Sequence, residues 1–389
     1  MKQNALARLA ALNPAAEIWF DSSPLVFEKW KLDFLAKEVD PARRAYWQGQ
    51  LESLHPAHSS GGLLRGVTTN PPLSLQVLLE DPDSYRSAID EIKKTAAQHD
   101  PRQRFYKLYS GIIKEGAEIF LPLFERSGFK HGFLSGQVDP RDWTDTDAMV
   151  AMGVELNRLA PNVMIKMPAT KQGIAGIEIL TAKGIATNAT LSFSLSQILG
   201  VAEAVRAGLK KARAAGVDLS RFRSVITMML GRMEDAADFQ SQAQGLGISL
   251  SDEDKRWAGV AVFKKAYEIL EKRGYESKLL AASMRLGPQV DGRPKIWHLS
   301  KLAGAGAVFT IFPNIMEAFL REYDDTPLEN VMSDALPAET LARLMKIPYF
   351  RQVYDENGLA PDDFLSFGAV QETAKAFIQA AEDMQAMVA

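Results

Sequence analysis

Short apolar runs alternating with helix-period stretches constrain this chain more than any other feature of its sequence. Eight runs have the length and composition of strands. They are Glu17–Asp21 (EIWFD), Leu64–Asn70 (LRGVTTN), Gly132–Asp139 (GFLSGQVD), Val163–Ala169 (VMIKMPA), Ile185–Leu191 (IATNATL), Ser224–Leu230 (SVITMML), Lys278–Arg285 (KLLAASMR) and Ala307–Phe312 (AVFTIF). Amphipathic stretches such as Asp145–Leu159, Ser194–Ala214 and Asp252–Arg273 lie between them. Strands alternating with helices predict an α/β protein with a parallel sheet. Eight such units are the number that closes a (β/α)₈ TIM barrel. An open doubly wound sheet shares the same periodicity, because periodicity does not register closure.

Helical pattern exceeds one helix per strand within residues 22–60, 71–131 and 231–276. After the eighth strand, Asp324–Pro337 reads as a linker, Glu356–Pro361 as a turn, and helical pattern resumes near Ala338–Lys346 and Asp362–Met387. No internal repeat or low-complexity tract is visible. The economical reading is one barrel domain over residues 1–389. Its extra helices lie at the N-terminus, after strands 1, 2 and 6, and at the C-terminus, where 338–389 packs on the barrel.

In a closed parallel barrel, alternate strand residues point inwards and reactive groups gather at the C-terminal rim. Parity pairs Trp19 with Asp21 and Thr68 with Asn70, and it aligns Ser135, Gln137 and Asp139. It likewise aligns Met164, Lys166 and Pro168; Ala186, Asn188 and Thr190; and Val225, Thr227 and Met229, with Arg232 just beyond. On the seventh strand it aligns Ala281, Ser283 and Arg285. Polar strand ends are ordinary where strands run into loops. Lys166 is different, since it stands between Ile165 and Met167 inside an apolar strand. A lysine rarely faces a core without a partner or a purpose. The bland account is an ion pair with a carboxylate such as Asp21. The chemical account is a desolvated amine of lowered pKa that attacks a carbonyl to form a Schiff base.

Composition removes other chemistries. The 389 residues contain no cysteine, which excludes disulfide scaffolds, zinc–thiolate sites, iron–sulfur clusters and thiol nucleophiles. A net charge of −3 gives no general basic footprint for nucleic acid. No apolar run approaches the ~20 residues of a membrane span. The opening MKQNALARLAALNPAAEIWF reads as an amphipathic helix and not a signal peptide, so a cytoplasmic protein is expected. His55, His58, His99, His131 and His298 show no metal-ligand spacing, and the pair at 55 and 58 falls in a Pro/Ser/Gly-rich loop that reads as solvated. No GxGxxG, GxxxxGK[ST] or GxSxG motif occurs. No cofactor and no metal are expected.

Three motifs are informative together: Gly66–Leu73 (GVTTNPPL), Val163–Thr170 (VMIKMPAT) and Gly184–Ser194 (GIATNATLSFS). They resemble signatures of the transaldolase family. Asp21 after an apolar strand, Gln137–Asp139 (QVD), Gly231–Arg232 and Ala282–Arg285 (ASMR) follow in the matching order, so the resemblance spans about residues 17 to 320. It implies a class I aldolase on a (β/α)₈ barrel, with Lys166 as the Schiff-base nucleophile. Asp21, Asn70 and Asn188 match residues that hold the dihydroxyacetone unit and assist carbinolamine chemistry. Thr190 matches the residue that positions a catalytic water, and Thr227 keeps the hydroxyl of a position that is usually Ser. Arg232, Ser283 and Arg285 match a phosphate-binding cluster. The terminal helix of the family crosses the barrel mouth, so Asp362–Met387 is a candidate cover.

Gln137 departs from that pattern, because the family's usual general acid/base there is Glu. An amide can orient water but cannot take up a proton at neutral pH. The fructose 6-phosphate aldolase subgroup also has Gln there, with a Tyr on the sixth strand where this chain has Met229. Asp21 is then the remaining core carboxylate, and the position of Asp139 suggests loop pairing.

The resemblance implies transfer of a dihydroxyacetone unit from a phosphorylated ketose donor to an aldose acceptor. That is a transferase reaction of carbohydrate metabolism and the pentose phosphate pathway. Fructose 6-phosphate aldolase-like cleavage, a specialised-pathway transaldolase-like enzyme, and a non-catalytic sugar-phosphate binder are the alternatives. Neither nucleic acid nor membrane is expected as a partner, and the sequence is compatible with a homo-oligomer.

Overall fold

The computed structural model describes residues 2–58, 61–96 and 98–389. Eight strands close into a barrel: β1 (Glu17–Phe20), β2 (Leu64–Thr68), β3 (Phe133–Gln137), β4 (Val163–Pro168), β5 (Thr187–Ser192), β6 (Ser224–Met229), β7 (Lys278–Ala282) and β8 (Val308–Ile311). Each strand pairs in parallel with the next, and β8 returns to β1 with Glu17 opposite Val308. Closure decides between the two architectures that share this periodicity. The protein is a (β/α)₈ barrel carrying additional helices.

Alternation along the strands sorts the side chains onto two faces. Ile18, Phe20, Val67, Leu134, Ile165, Met167, Ala189, Ile226, Met228, Leu279, Phe309 and Ile311 face the surrounding helices and build the large core. Trp19, Phe133, Met164, Ala186, Val225, Leu280, Ala282 and Val308 form a separate apolar cluster inside the barrel. Below it, buried Glu17 accepts from Trp19 Nε1 at 3.1 Å and pairs with Arg223 at 2.5 Å and Lys278 at 2.7 Å. His131, Arg223 and Lys278 beside it hold its carboxyl well below the usual range despite burial. The lower half of the barrel interior is therefore filled by side chains, and the cavity reached by Lys166 lies at the rim of the strand C-termini.

Local sequence explains how the rim is built. Asn70, Asp145, Thr170 and Ser194 follow strands and cap the next helices, accepting from the backbone of Leu73, Ala148, Gly173 and Gln197. Asn70, Thr170 and Ser194 end their loops within a few residues of the strand ends, while Asp145 follows the short 3₁₀ turn Pro140–Asp142. The N-terminal helix Ala5–Ala11, capped by Asn4, buries Ala5, Leu6 and Leu9, as its amphipathic pattern requires. No described helix is long and apolar enough to cross a membrane. The C-terminal helix Gly368–Met387 packs against the helices Pro71–Glu80 and Pro101–Arg126.

Some expectations need correction. The seventh strand stops at Ala282, with Leu280 and Ala282 facing inwards and Ala281 outwards, opposite to the parity that aligned Ala281 with Ser283 and Arg285. Ser283 adopts φ 59°, and this left-handed step redirects the chain so that Ser283 still reaches the rim. A two-stranded hairpin, Gln289–Val290 with Arg293–Pro294, and the helix Pro348–Tyr354 were not anticipated. His55 is half-buried against the Phe27 ring, 5.3 Å between centroids, and is not a solvated loop residue.

The inner face leaves no slack at Gly66. A Cβ there would lie 2.5 Å from the Trp19 ring, which is fully buried and cannot retreat. Gly66→Ala is expected to destabilise the protein by about 1–3 kcal/mol through overpacking. Urea unfolding checks this, and an unchanged midpoint would show that Trp19 has room to move.

Candidate active site

A cavity opens at the C-terminal rim. Its lining includes Asp21, Thr68, Asn70, Lys166, Thr190, Thr227, Arg232 and Ser283, contributed by most of the strands or by the residues just after them. Active sites of this architecture occupy that rim.

Lys166 sits on β4 and is 4% exposed. Its Nζ donates to the Thr69 carbonyl at 2.9 Å, while Asp21 acts on it through space. Burial pulls the ammonium down from 10.5 to about 8; Asp21 works against that shift and Arg232 adds to it. A bias of that size is worth about 3 kcal/mol toward the neutral amine. The ion-pair account of Lys166 thus gives way to a hydrogen bond with a backbone carbonyl, which leaves the amine lone pair accessible once a proton is lost.

Asp21 follows β1, its amide still bonded to the Ile311 carbonyl of β8 at 3.0 Å. Its Oδ1 accepts from Thr68 Oγ1 at 2.7 Å, and Thr68 Oγ1 also touches Thr310 Oγ1. The single Thr68 proton goes to the carboxylate, so Thr310 must be the donor to Thr68. Burial raises the Asp21 carboxyl against the opposing pull of Lys166, Thr68 and Arg232. A desolvated carboxylate of this kind is a stronger base than a solvated one.

A belt of polar side chains braces the site from below. Asn188 Nδ2 donates to Ser135 Oγ at 3.0 Å, and Asn188 Oδ1 accepts from Thr227 Oγ1 at 2.7 Å. Register places Asn188 beside Lys166 on one flank and Gln137 on the other. Gln137 is fully buried, yet both amide atoms lack a hydrogen-bond partner among the described residues; Tyr109 engages only its backbone. Two unpaired amide atoms in a core are expensive unless something polar joins them. Among the described residues, the side-chain partner of Thr190 Oγ1 is the Met229 sulfur, at 3.8 Å.

At the rim, Arg232 is half-buried, lies 5.9 Å from the Phe377 ring centroid, and has no carboxylate within ion-pair distance among the described residues. Burial and then the neighbouring Arg285 charge disfavour its protonated form. Arg285 donates to Asp235 at 2.8 Å and to Ser283 Oγ at 3.2 Å. Gly231 is required beside it, because a Cβ there would fall 2.2 Å from the Ser283 carbonyl oxygen. An anion placed between the guanidiniums would relieve their mutual repulsion.

The C-terminal helix covers the cavity with Phe377, whose ring meets Trp143 edge-on at 6.3 Å. Arg141 ties the same helix down through Gln385 at 2.7 Å and binds Asp139 at 2.7 Å. Burial of Asp139 is outweighed by Arg141 and Arg102, which hold its carboxyl below the usual value. Its loop-pairing role was expected.

The comparisons with known proteins agree with this geometry. The model of the transaldolase/fructose-6-phosphate aldolase family matches residues 48–387. A transaldolase of Thiobacillus denitrificans is 31% identical over 324 residues, 81% of this chain and 84% of that protein. Transaldolases of Kocuria rhizophila and Mycobacterium leprae are 32% and 33% identical over 60% and 66% of this chain, and 61% and 66% of their own lengths. The chain belongs to the transaldolase/fructose-6-phosphate aldolase family.

Of the residues that the transaldolase resemblance singled out, Asp21, Asn70, Lys166, Thr190, Thr227, Arg232 and Ser283 line one cavity. Gln137, Asn188 and Arg285 stand just outside it, the first two buried beside Lys166 and the last at the rim. Asn70 Oδ1 is already engaged with the Leu73 amide at 3.0 Å, leaving its Nδ2 as the group for a ligand. Sequence reasoning missed Thr310, Phe312 and Phe377. Thr310 is the lone polar residue of AVFTIF and could have been noticed, whereas Phe377 has no local signal because only tertiary packing brings it over the rim.

A lysine of pKa about 8 is roughly one-tenth neutral at pH 7. Since the neutral amine is the nucleophile, the rate of reductive alkylation of Lys166 by a small aldehyde should climb with pH and level off above about 8. Peptide mass mapping reads the site. A rate still rising steeply beyond pH 9.5 would mean that Lys166 titrates as an ordinary lysine.

Proposed function

We propose that the protein transfers a dihydroxyacetone unit from a phosphorylated ketose to an aldose acceptor through a Schiff base on Lys166. The observation that carries this reading is a buried in-strand amine, lowered to about 8, in one cavity with Arg232, a cation with no carboxylate within ion-pair distance among the described residues. The name transaldolase borne by the relatives supports it.

In this reading the neutral Lys166 amine attacks the ketose C2 carbonyl, and loss of water gives the imine. Asp21 accepts the C4 hydroxyl proton as the C3–C4 bond breaks, and the electron pair passes into an enamine while the aldehyde product departs. The enamine then adds to the acceptor aldehyde, the proton returns to the new hydroxyl, and hydrolysis of the imine frees Lys166. Asn70 and Asn188 hold the dihydroxyacetone hydroxyls, with Thr227 fixing the Asn188 amide. Thr190 positions the water consumed in hydrolysis. Arg232, Ser283 and Arg285 bind the phosphate. The unpartnered amide of Gln137 takes that water or a substrate hydroxyl as its missing partner. Residues 1–389 work as one unit, the terminal helix sealing the reacting atoms from bulk water.

Product formation from fructose 6-phosphate, followed with and without erythrose 4-phosphate, tests the transfer. Turnover should depend on the acceptor. Acceptor-independent release of dihydroxyacetone would make the protein a cleaving aldolase, and no turnover under either condition would leave it a sugar-phosphate binder. In the same assay Gln137→Glu should raise turnover by supplying a carboxylate, since general acid–base assistance is typically worth about 10²–10⁴-fold. It should also move the pH profile to higher pH, because a second anion beside Lys166 stabilises the ammonium. A Glu variant that is no faster would mark Gln137 as a specificity residue.

A further inference from the structure

Arg232 and Arg285 come from different elements, the short helix Leu230–Asp235 and the segment after β7. Like charges this near drift apart unless something else fixes their spacing. On the surface side, Asp235 accepts from Arg285, and the Gly231 amide donates to the Ser283 carbonyl at 3.0 Å. A second linkage runs underneath, through groups that do not touch the cavity.

Glu234, two residues after Arg232, is fully buried. Its Oε1 lies 2.7 Å from His298 Nε2, and its Oε2 lies 2.5 Å from Arg256 Nη1 in an ion pair misaligned for a hydrogen bond. His298 is also fully buried and carried on the helix Trp297–Ser300. Its Nδ1 accepts from the backbone N–H of Arg285 at 3.1 Å. A ring nitrogen that accepts carries no proton, so the imidazole proton sits on Nε2 and is donated to Glu234. Gly259 makes the space, since a Cβ there would fall 2.0 Å from Glu234 Oε1. Buried ionic groups are poor sources of stability, because desolvation offsets their attraction. They can, however, hold one geometry.

We infer that His298 is a positioning residue, which with Glu234 and Arg256 fixes the spacing of Arg232 and Arg285 for phosphate. The chain runs from the helix that carries Arg232, through Glu234 and the imidazole, to the backbone that carries Arg285. This rests on the proposed phosphate role of the two arginines.

Paired substitutions separate the two hydrogen bonds. His298→Asn keeps an acceptor on the Nδ1 side, and His298→Gln keeps a donor on the Nε2 side. His298→Phe keeps ring volume and loses both. Inorganic phosphate affinity, measured by calorimetry, should fall about tenfold in the Gln and Phe variants, the cost of an unpaired buried amide. It should also fall in the Asn variant, which keeps the bond to the Arg285 amide but breaks the link to Glu234. The KM for fructose 6-phosphate should follow phosphate affinity, with kcat and the reaction of unphosphorylated fructose little changed. Should the Phe variant fail to fold, the Asn and Gln variants still decide, because each breaks the chain at one end, and parental phosphate affinity in both would overturn the inference. Arg232→Ala and Arg285→Ala are the reference. If they weaken phosphate and His298→Gln does not, the positioning role is wrong while the phosphate reading stands. If neither arginine variant weakens phosphate, the phosphate reading itself fails. Equal losses with fructose and its 6-phosphate in the His298 variants would show a general packing defect and overturn the inference.

Discussion

A primary amine enclosed by a parallel sheet is costly to keep charged, and much of this structure follows from holding such an amine in place. Lys166 occupies a strand position that alternation directs to the barrel interior, with the outer-face residues Ile165 and Met167 locked into the core. A one-residue slip of β4 would exchange these faces, placing the amine in the apolar core. The parallel ladders of β3 and β5 on either side prevent it. The cost of desolvation appears as an amine lowered to about 8, which is also what a nucleophile working near neutral pH requires.

The division of the barrel interior follows from the same constraint. Its lower half is filled by Trp19, Phe133, Met164, Val225 and Leu280, which exclude water from beneath the lysine. Its upper half holds hydroxyls and amides whose mutual hydrogen bonds leave few groups free. Asn188 is oriented by Ser135 and Thr227, with one Nδ2 proton still available, and Asp21 is oriented by Thr68. Among the described residues, the Gln137 amide, buried beside the amine, and the Arg232 guanidinium, at the rim, are two groups left without a hydrogen-bond partner. A ligand with a hydroxyl near its carbonyl carbon and an anionic end would complete both. Phe377 and the terminal helix complete the enclosure from above.

Much of this was legible in the sequence, and the exceptions have physical causes. Strand existence and order could be read because each strand is short, apolar and bounded by capping residues such as Thr170 and Ser194. Lys166 stood out because a charge inside VMIKMPA has no other easy explanation. The parity of β7 was misread because Ser283 turns through a left-handed conformation that a two-residue period cannot represent. Phe377 and the linkage from Glu234 through His298 to Arg285 depend on residues far apart in the chain, and no local pattern announces them. Whether a strand residue is reactive or merely buried depends on neighbours across the sheet, which only register supplies.

The central claim is that Lys166 is the group that bonds to the substrate carbon. Its most direct test is borohydride reduction in the presence of fructose 6-phosphate, with the product weighed intact and then mapped by peptide. The account predicts one adduct of dihydroxyacetone mass on the peptide containing Lys166, and none in a folded Lys166→Met variant. A reduced adduct that persists in that variant, or maps to another lysine, would contradict it.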